Sequence, residues 1–255
     1  MDDVLYEKDS HVATITLNRP EKLNALTPEM TVKLEGAVRE ANADNDVRVV
    51  VFRGAGEKSF SVGSDINMLD QYASNWAFRN RLEYCDVLRS MKKPVIAMVQ
   101  GYALGGGLEL ALCADIRFAG QSASFGAVEV KLGWIGGGGI TQLLTRQIGY
   151  GQAMQMILSG DRITADKAYR LGLVEELVPD NELETFTYDF ARKVAGYSPI
   201  ALQTAKLGCQ MASRVPLDAG IQYERDMQTI CFYTEDSKEG IAAFKEKRQP
   251  DFKGR

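Results

Sequence analysis

The sequence predicts an α/β fold with crossover connections and a C-terminal helical region. Short continuous apolar runs at residues 49–53, 95–99 and 115–119 have the pattern of strands buried on both faces. Helical stretches at 75–90 and 106–113 separate them, and that alternation marks an α/β chain. After Ile140 the pattern becomes almost wholly helical, with Leu183, Phe186, Phe190 and Val194 on one amphipathic face and Pro199 opening a further helix.

Earlier elements follow from local chemistry. Residues 4–8 and 11–17 read as a hairpin turned at Asp9-Ser10, with Val12, Thr14 and Thr16 alternating against Ala13, Ile15 and Leu17. Thr27 followed by Pro28 is an N-cap ahead of a proline at the first helical position. Met30, Leu34, Ala37, Val38 and Ala41 then supply the apolar stripe of that helix.

Composition narrows the chemistry. The chain has 255 residues, 45% of them hydrophobic, and a chain of this size buries roughly 70–75% of its unfolded surface without needing a disulfide or metal. Its 30 basic and 34 acidic residues give a net charge of −4, which points to neither nucleic acid nor an anionic membrane. The single histidine, His11, excludes HExxH and multi-histidine metal sites, and most Ser-His-Asp machinery unless His11 is itself the base. It falls at the turn end of a hairpin strand, so acid–base chemistry is assigned to carboxylates. Cys85, Cys113, Cys209 and Cys231 form no CxxC pair, and Met1-Asp2-Asp3 begins no signal peptide, so reduced thiols in the cytoplasm are expected. Residues 95–114 are mostly apolar, yet Gln100, Glu109 and four glycines fit strands and a buried helix better than a membrane span.

Two glycine clusters, 105–107 and 136–139, dominate the middle of the chain. The first follows a buried strand and opens a helix, a geometry that presents unpaired backbone N–H groups; close helix–strand packing is the alternative. No GxGxxG occurs, and neither cluster ends in GK[ST], so a nucleotide fingerprint is ruled out. Glu109 lies three residues after Gly106 among Leu108, Leu110, Ala111 and Leu112; it is either a helix cap or a buried carboxylate put to use. Glu129, just ahead of the second cluster, is either an exposed strand residue paired with Lys131 or a second such carboxylate. Two carboxylates beside glycine loops could hold and deprotonate one water.

Spaced motifs then add a resemblance. They are Asn18-Arg19-Pro20 with Leu23-Asn24-Ala25-Leu26, Phe60-Ser61-Val62-Gly63-Ser64-Asp65-Ile66, and Lys93-Pro94-Val95-Ile96-Ala97. Gly101-Tyr102-Ala103-Leu104-Gly105-Gly106-Gly107-Leu108-Glu109-Leu110 follows, and the chain ends with Thr234-Glu235-Asp236, Glu239-Gly240 and Phe244-Lys245-Glu246-Lys247-Arg248. In this order they resemble the crotonase (enoyl-CoA hydratase/isomerase) superfamily over nearly the whole chain, closest to the enoyl-CoA hydratases. The resemblance implies a spiral core of ββα units over residues 1–195 and a C-terminal helical trimerisation region over 196–255. It further implies an acyl-CoA thioester substrate, no metal or redox cofactor, and a homotrimer or dimer of trimers.

By the same resemblance, the N–H groups of Ser64 and Gly106 form an oxyanion hole, and Glu109 with Glu129 activates water for syn addition to a trans-2-enoyl-CoA. Asp65, Ile66, Trp134, Gly137 and Lys247 are the expected substrate contacts. Relatives usually carry alanine where Ser64 stands, and proline where Gly136 stands. The looser glycine loop leaves an isomerase or lyase reaction on a specialised acyl-CoA as the alternative. Trp134 either narrows the acyl pocket or packs in the core. The basic tail, Lys245, Lys247, Arg248, Lys253 and Arg255, is a solvated face, a contact for coenzyme A, or an RNA-binding surface, the last disfavoured by net charge. At Gly106, the first residue of a helix, a proline is expected to remove the N–H without unfolding the chain.

Overall fold

The computed structural model describes residues 2–255. Its strands are β1 (Val4–Asp9), β2 (Val12–Leu17), β3 (Val49–Gly54), β4 (Ser59–Ser61), β5 (Val95–Val99), β6 (Tyr102–Leu104), β7 (Ile116–Gly120), β8 (Ser124–Gly126), β9 (Ile163–Thr164) and β10 (Glu176–Val178). They form two sheets. The larger has the order β1-β2-β3-β5-β7-β10, with β1 antiparallel to β2 and the remaining pairs parallel; the smaller has the order β4-β6-β8-β9. Successive strands of the large sheet (β3, β5, β7) are each followed by a strand of the small one (β4, β6, β8), and helices return the chain, giving a spiral of ββα turns.

The helices are α1 (Pro28–Ala43), α2 (Asn75–Arg79), α3 (Tyr84–Arg89), α4 (Gly106–Cys113), α5 (Ile140–Ile148), α6 (Tyr150–Ser159), α7 (Ala165–Arg170), α8 (Leu183–Ala195), α9 (Pro199–Met211), α10 (Leu217–Phe232) and α11 (Glu235–Glu246). The Thr27 side chain accepts from the Met30 N–H, and the predicted stripe of α1 is buried. One face of the large sheet, with Ala13, Ile15, Val50, Phe52 and Ala97, packs on α1 and shares one apolar core with α3 and α4. The other, with Val12, Val49, Val51, Ile96, Met98 and Phe118, is covered by α8. Phe118 meets Phe186 and Phe190 edge-on at 5.1 Å each. Burial on both faces is why these strands read as unbroken apolar runs.

Three expectations need correction. The stretch 75–90 is two short helices, because α2 buries none of its residues while α3 buries Tyr84, Cys85, Val87 and Leu88; no packing carries the first across residues 80–83. The third apolar run forms its strand one residue later, at Ile116–Gly120. The region after Ile140 is not wholly helical, since β9 and β10 each add an edge strand. His11 stands at the hairpin as expected, its Nδ1 2.8 Å from the Asp46 carbonyl.

One motif residue ties the N-terminal loop to the small sheet. Asn24 has φ +56°, a left-handed conformation that asparagine tolerates better than most residues. Its buried side chain accepts from the Arg19 N–H (2.9 Å) and donates to the carbonyls of Ala55 (3.0 Å) and Ser59 (2.8 Å). Ser61 Oγ donates to the Asn24 carbonyl and accepts from the Gly63 N–H, so the network reaches the turn that carries Ser64. Asn24→Ala strands a buried N–H and two carbonyls, and is expected to lower stability by about 2–4 kcal/mol. Urea unfolding should show a lower midpoint with an unchanged m-value.

Candidate active site

A cavity of about 1030 Å³ opens where α3, α4 and the loop after β8 meet. Ser64, Ile66, Gly106, Glu109, Glu129, Trp134 and Gly137 all line it. Seven of the nine residues expected from the sequence are thus brought to one place. Asp65 is not among the lining residues: its carboxylate accepts from Arg19 Nη1 (3.2 Å) and caps the short 3-10 helix Ile66–Gln71 through the Asn67 N–H. Burial pushes the Asp65 carboxyl up, but hydrogen bonds from the Asn67 backbone and side-chain N–H groups and from Arg19 together hold it below its ordinary value. Lys247 lies exposed at the end of α11 and does not line the cavity of its own chain. Trp134 is 44% exposed on the cavity wall, which settles the choice between pocket and core.

Glycines let the backbone come this close. Gly63 has φ +84°, and a Cβ there would lie 2.6 Å from the Gly106 nitrogen. The turn bearing Ser64 therefore packs directly against the start of α4. Gly106 is the first residue of α4, so its N–H has no acceptor within the helix. Among the described residues neither the Ser64 nor the Gly106 N–H donates a hydrogen bond within the chain. Two free backbone donors thus lie side by side on the cavity wall. A side chain at Gly106 would run into the Tyr84 hydroxyl, so proline at this position tests more than the N–H; the expectation of a tolerated proline is corrected on that ground.

Glu109 is 2% exposed. It caps not its own helix but the next one: its Oε1 accepts from the N–H groups of Gly138 (2.9 Å) and Ile140 (3.0 Å), at the start of α5. Burial raises its pKa to about 7; the Ile140 N–H pulls downward, the Glu129 charge pushes upward, and the Gly138 N–H pulls downward. Glu129 opens the short 3-10 helix Glu129–Leu132 and is buried, so it is not an exposed strand residue; Lys131 pairs instead with Asp161. Burial raises its carboxyl as well, its own N–H opposing. Among the described residues the buried Glu129 Oε1 has no hydrogen-bond partner.

The two carboxylates face one point. A Cβ on Gly136 would lie 2.5 Å from Glu109 Oε1 and 2.8 Å from Glu129 Oε1, so a side chain there would occupy the space between them. That space suits a small polar molecule held by both oxygens, and an unpartnered buried carboxylate oxygen calls for a donor there. Gly138 is equally constrained, wedged against Cys85 Sγ and Glu109 Oε2. Sequence reasoning missed Tyr84, Arg81 and Glu83, which also line the cavity. Their signal was hidden because residues 75–90 read as one continuous helix; the break turns Arg81 and Glu83 toward each other at 2.5 Å.

Two unpaired backbone N–H groups and two buried carboxylates thus line one cavity. Comparison with known proteins identifies the family. The model of the enoyl-CoA hydratase/isomerase family matches residues 7–255, and the chain belongs to that family. It is 40% identical over 253 residues to (E)-benzylidenesuccinyl-CoA hydratase of Thauera aromatica, covering 98% of this chain and 99% of that one. It is 39% identical over 256 residues to 2,3-dehydroadipyl-CoA hydratase of Escherichia coli (strain K12), covering both fully. The crystal structure of enoyl-CoA hydratase from Bacillus anthracis superposes with a TM-score of 0.93 at 36% identity, over 100% of each chain. The crotonase fold expected from the motifs is the fold observed.

Proposed function

We propose that this protein is an enoyl-CoA hydratase, adding water to a trans-2-enoyl-CoA to give a 3-hydroxyacyl-CoA. The observation that carries this is the pair of buried carboxylates around one small space, with two free N–H groups on the same cavity wall. The thioester oxygen sits at the Ser64 and Gly106 N–H groups. A water held between Glu109 and Glu129 loses a proton to one carboxylate as its oxygen bonds C3. The C2=C3 electron pair moves into the enolate, whose oxygen charge the N–H groups stabilise. A carboxyl proton then goes to C2, on the face the water attacked, so addition is syn. Burial raises both carboxyls, Glu109 to about 7, which suits that group to giving and taking a proton near neutrality.

The two relatives named above, at 39–40% identity, are an (E)-benzylidenesuccinyl-CoA hydratase and a 2,3-dehydroadipyl-CoA hydratase, which supports the reaction class over isomerase or lyase chemistry. The chain's own carboxylates and N–H groups supply the proposed chemistry without a cofactor, coenzyme A entering as part of the substrate. A homo-oligomer is part of this reading: α10 buries none of its residues within the chain, and Leu217, Ile221, Ile230 and Phe232 are exposed along it. A trimer built through the 196–255 region would cover them, and would bring Lys247 of one subunit toward coenzyme A bound to another. Among the described residues no helix is long and apolar enough to cross a membrane. The four cysteines are free thiols, consistent with a cytoplasmic location.

The deciding experiment follows the ultraviolet absorbance of the conjugated enoyl thioester, with crotonyl-CoA, longer chains and carboxyl-terminated chains. Steady loss of absorbance with formation of 3-hydroxyacyl-CoA supports the reading. No loss with any of them would remove it.

A further inference from the structure

Two hydroxyl groups in the cavity wall play no part in the hydration chemistry above. Ser64 Oγ and Tyr84 Oη lie 3.1 Å apart, and among the described residues neither has another hydrogen-bond partner. Two hydroxyls carry two protons, and the bond between them uses one. Whichever group donates, one O–H is left without an acceptor in the chain, on the wall of the cavity and free to donate into it. Its location is specific. Ser64 carries one of the two free N–H groups, and the Tyr84 oxygen stands against the Gly106 backbone that carries the other. Tyr84 is 7% exposed; burial foremost, then the neighbouring Cys85, Glu109 and Glu83, push its phenol well above the ordinary value against the Ser64 hydrogen bond. The phenol stays protonated and able to donate.

We propose that the Ser64–Tyr84 hydroxyl pair supplies a third hydrogen bond to the thioester oxygen of a bound enoyl-CoA, beside the Ser64 and Gly106 N–H groups. This rests on the oxyanion site proposed above. An alanine at position 64 would keep the N–H but have no hydroxyl to form the pair, so serine there adds a donor rather than merely replacing a methyl group. The free O–H strengthens its bond as charge grows on the oxygen, and so acts on the transition state more than on substrate binding.

The test uses 4-(dimethylamino)cinnamoyl-CoA, a conjugated thioester whose absorption moves to longer wavelength as its carbonyl is polarised, together with crotonyl-CoA turnover. Tyr84→Phe is expected to reduce the absorption shift and to lower kcat about 10-fold with KM nearly unchanged, the effect of one lost neutral donor. Ser64→Ala is expected to change both in the same direction, and it decides the matter if Tyr84→Phe does not fold. A full absorption shift and full turnover in the folded variant would overturn the hydroxyl pair alone. If the parent protein binds the probe with no absorption shift, the oxyanion site itself is overturned, and the pair with it.

Discussion

Glu109→Gln is expected to lower kcat for hydration by about 10²–10⁴-fold while leaving acyl-CoA affinity nearly intact, and Glu129→Gln to do the same. Both substitutions keep the shape of the site. In Glu109→Gln the new amide oxygen can still accept from the Gly138 and Ile140 N–H groups that now hold Glu109 Oε1. What is lost is the ability to exchange a proton with the water between the two side chains. Because one water serves both carboxylates, the double variant should be little slower than the slower single one. Near wild-type turnover in both single variants would remove the assignment.

The same substitution has an opposite consequence for stability. Burial raises Glu109 from an ordinary 4.5 to about 7. A carboxyl raised on folding favours the folded state fully only below its unfolded pKa, and that contribution is lost as pH rises toward the folded value. The native protein should therefore lose on the order of 3 kcal/mol of stability from this group between about pH 4.5 and 7. Glu109→Gln cannot ionise, so its unfolding free energy should be flatter with pH and exceed that of the parent at pH 8. Urea unfolding at pH 5 and pH 8 measures this directly. A more stable but inactive variant is the outcome expected of a carboxylate held in place for chemistry.

Gly63→Ala is the second large effect, and it probes the N–H pair without touching either carboxylate. The new Cβ would sit 2.6 Å from the Gly106 nitrogen and 2.9 Å from its Cα, at a φ of +84° that disfavours any side chain. The turn bearing Ser64 must then move away from α4, and the two donors can no longer converge on one oxygen. Loss of one such donor costs about 10²–10³ in kcat. Gly63→Ala is expected to fall in that range, with a lowered melting temperature but retained circular dichroism. It is a cleaner probe than proline at Gly106, which would strike the Tyr84 hydroxyl. A folded Gly63→Ala protein that hydrates crotonyl-CoA at the parental rate would move the oxyanion site elsewhere.

By itself the sequence determined the α/β class, the strands buried on both faces and the positions of the functional glycines and glutamates. Each of these is written locally: β3, β5 and β7 as apolar runs, α1 as a capped amphipathic stripe, and the N–H site as a glycine run opening α4. Ordered motifs carried the family, because their spacing reflects one spiral of ββα turns. Tertiary structure decided what depends on residues far apart in the chain. Glu109 caps α5, some 31 residues away, rather than its own helix, a choice made by packing and not by helix propensity. Trp134, which the sequence left between pocket and core, faces the cavity, while Asp65, expected as a substrate contact, turns to Arg19. The break between α2 and α3 depends on which half finds a core to bury, and that break places Tyr84 beside Ser64. Periodicity along the chain records which faces are apolar; only the packed fold records which polar groups those faces bring within hydrogen-bonding distance.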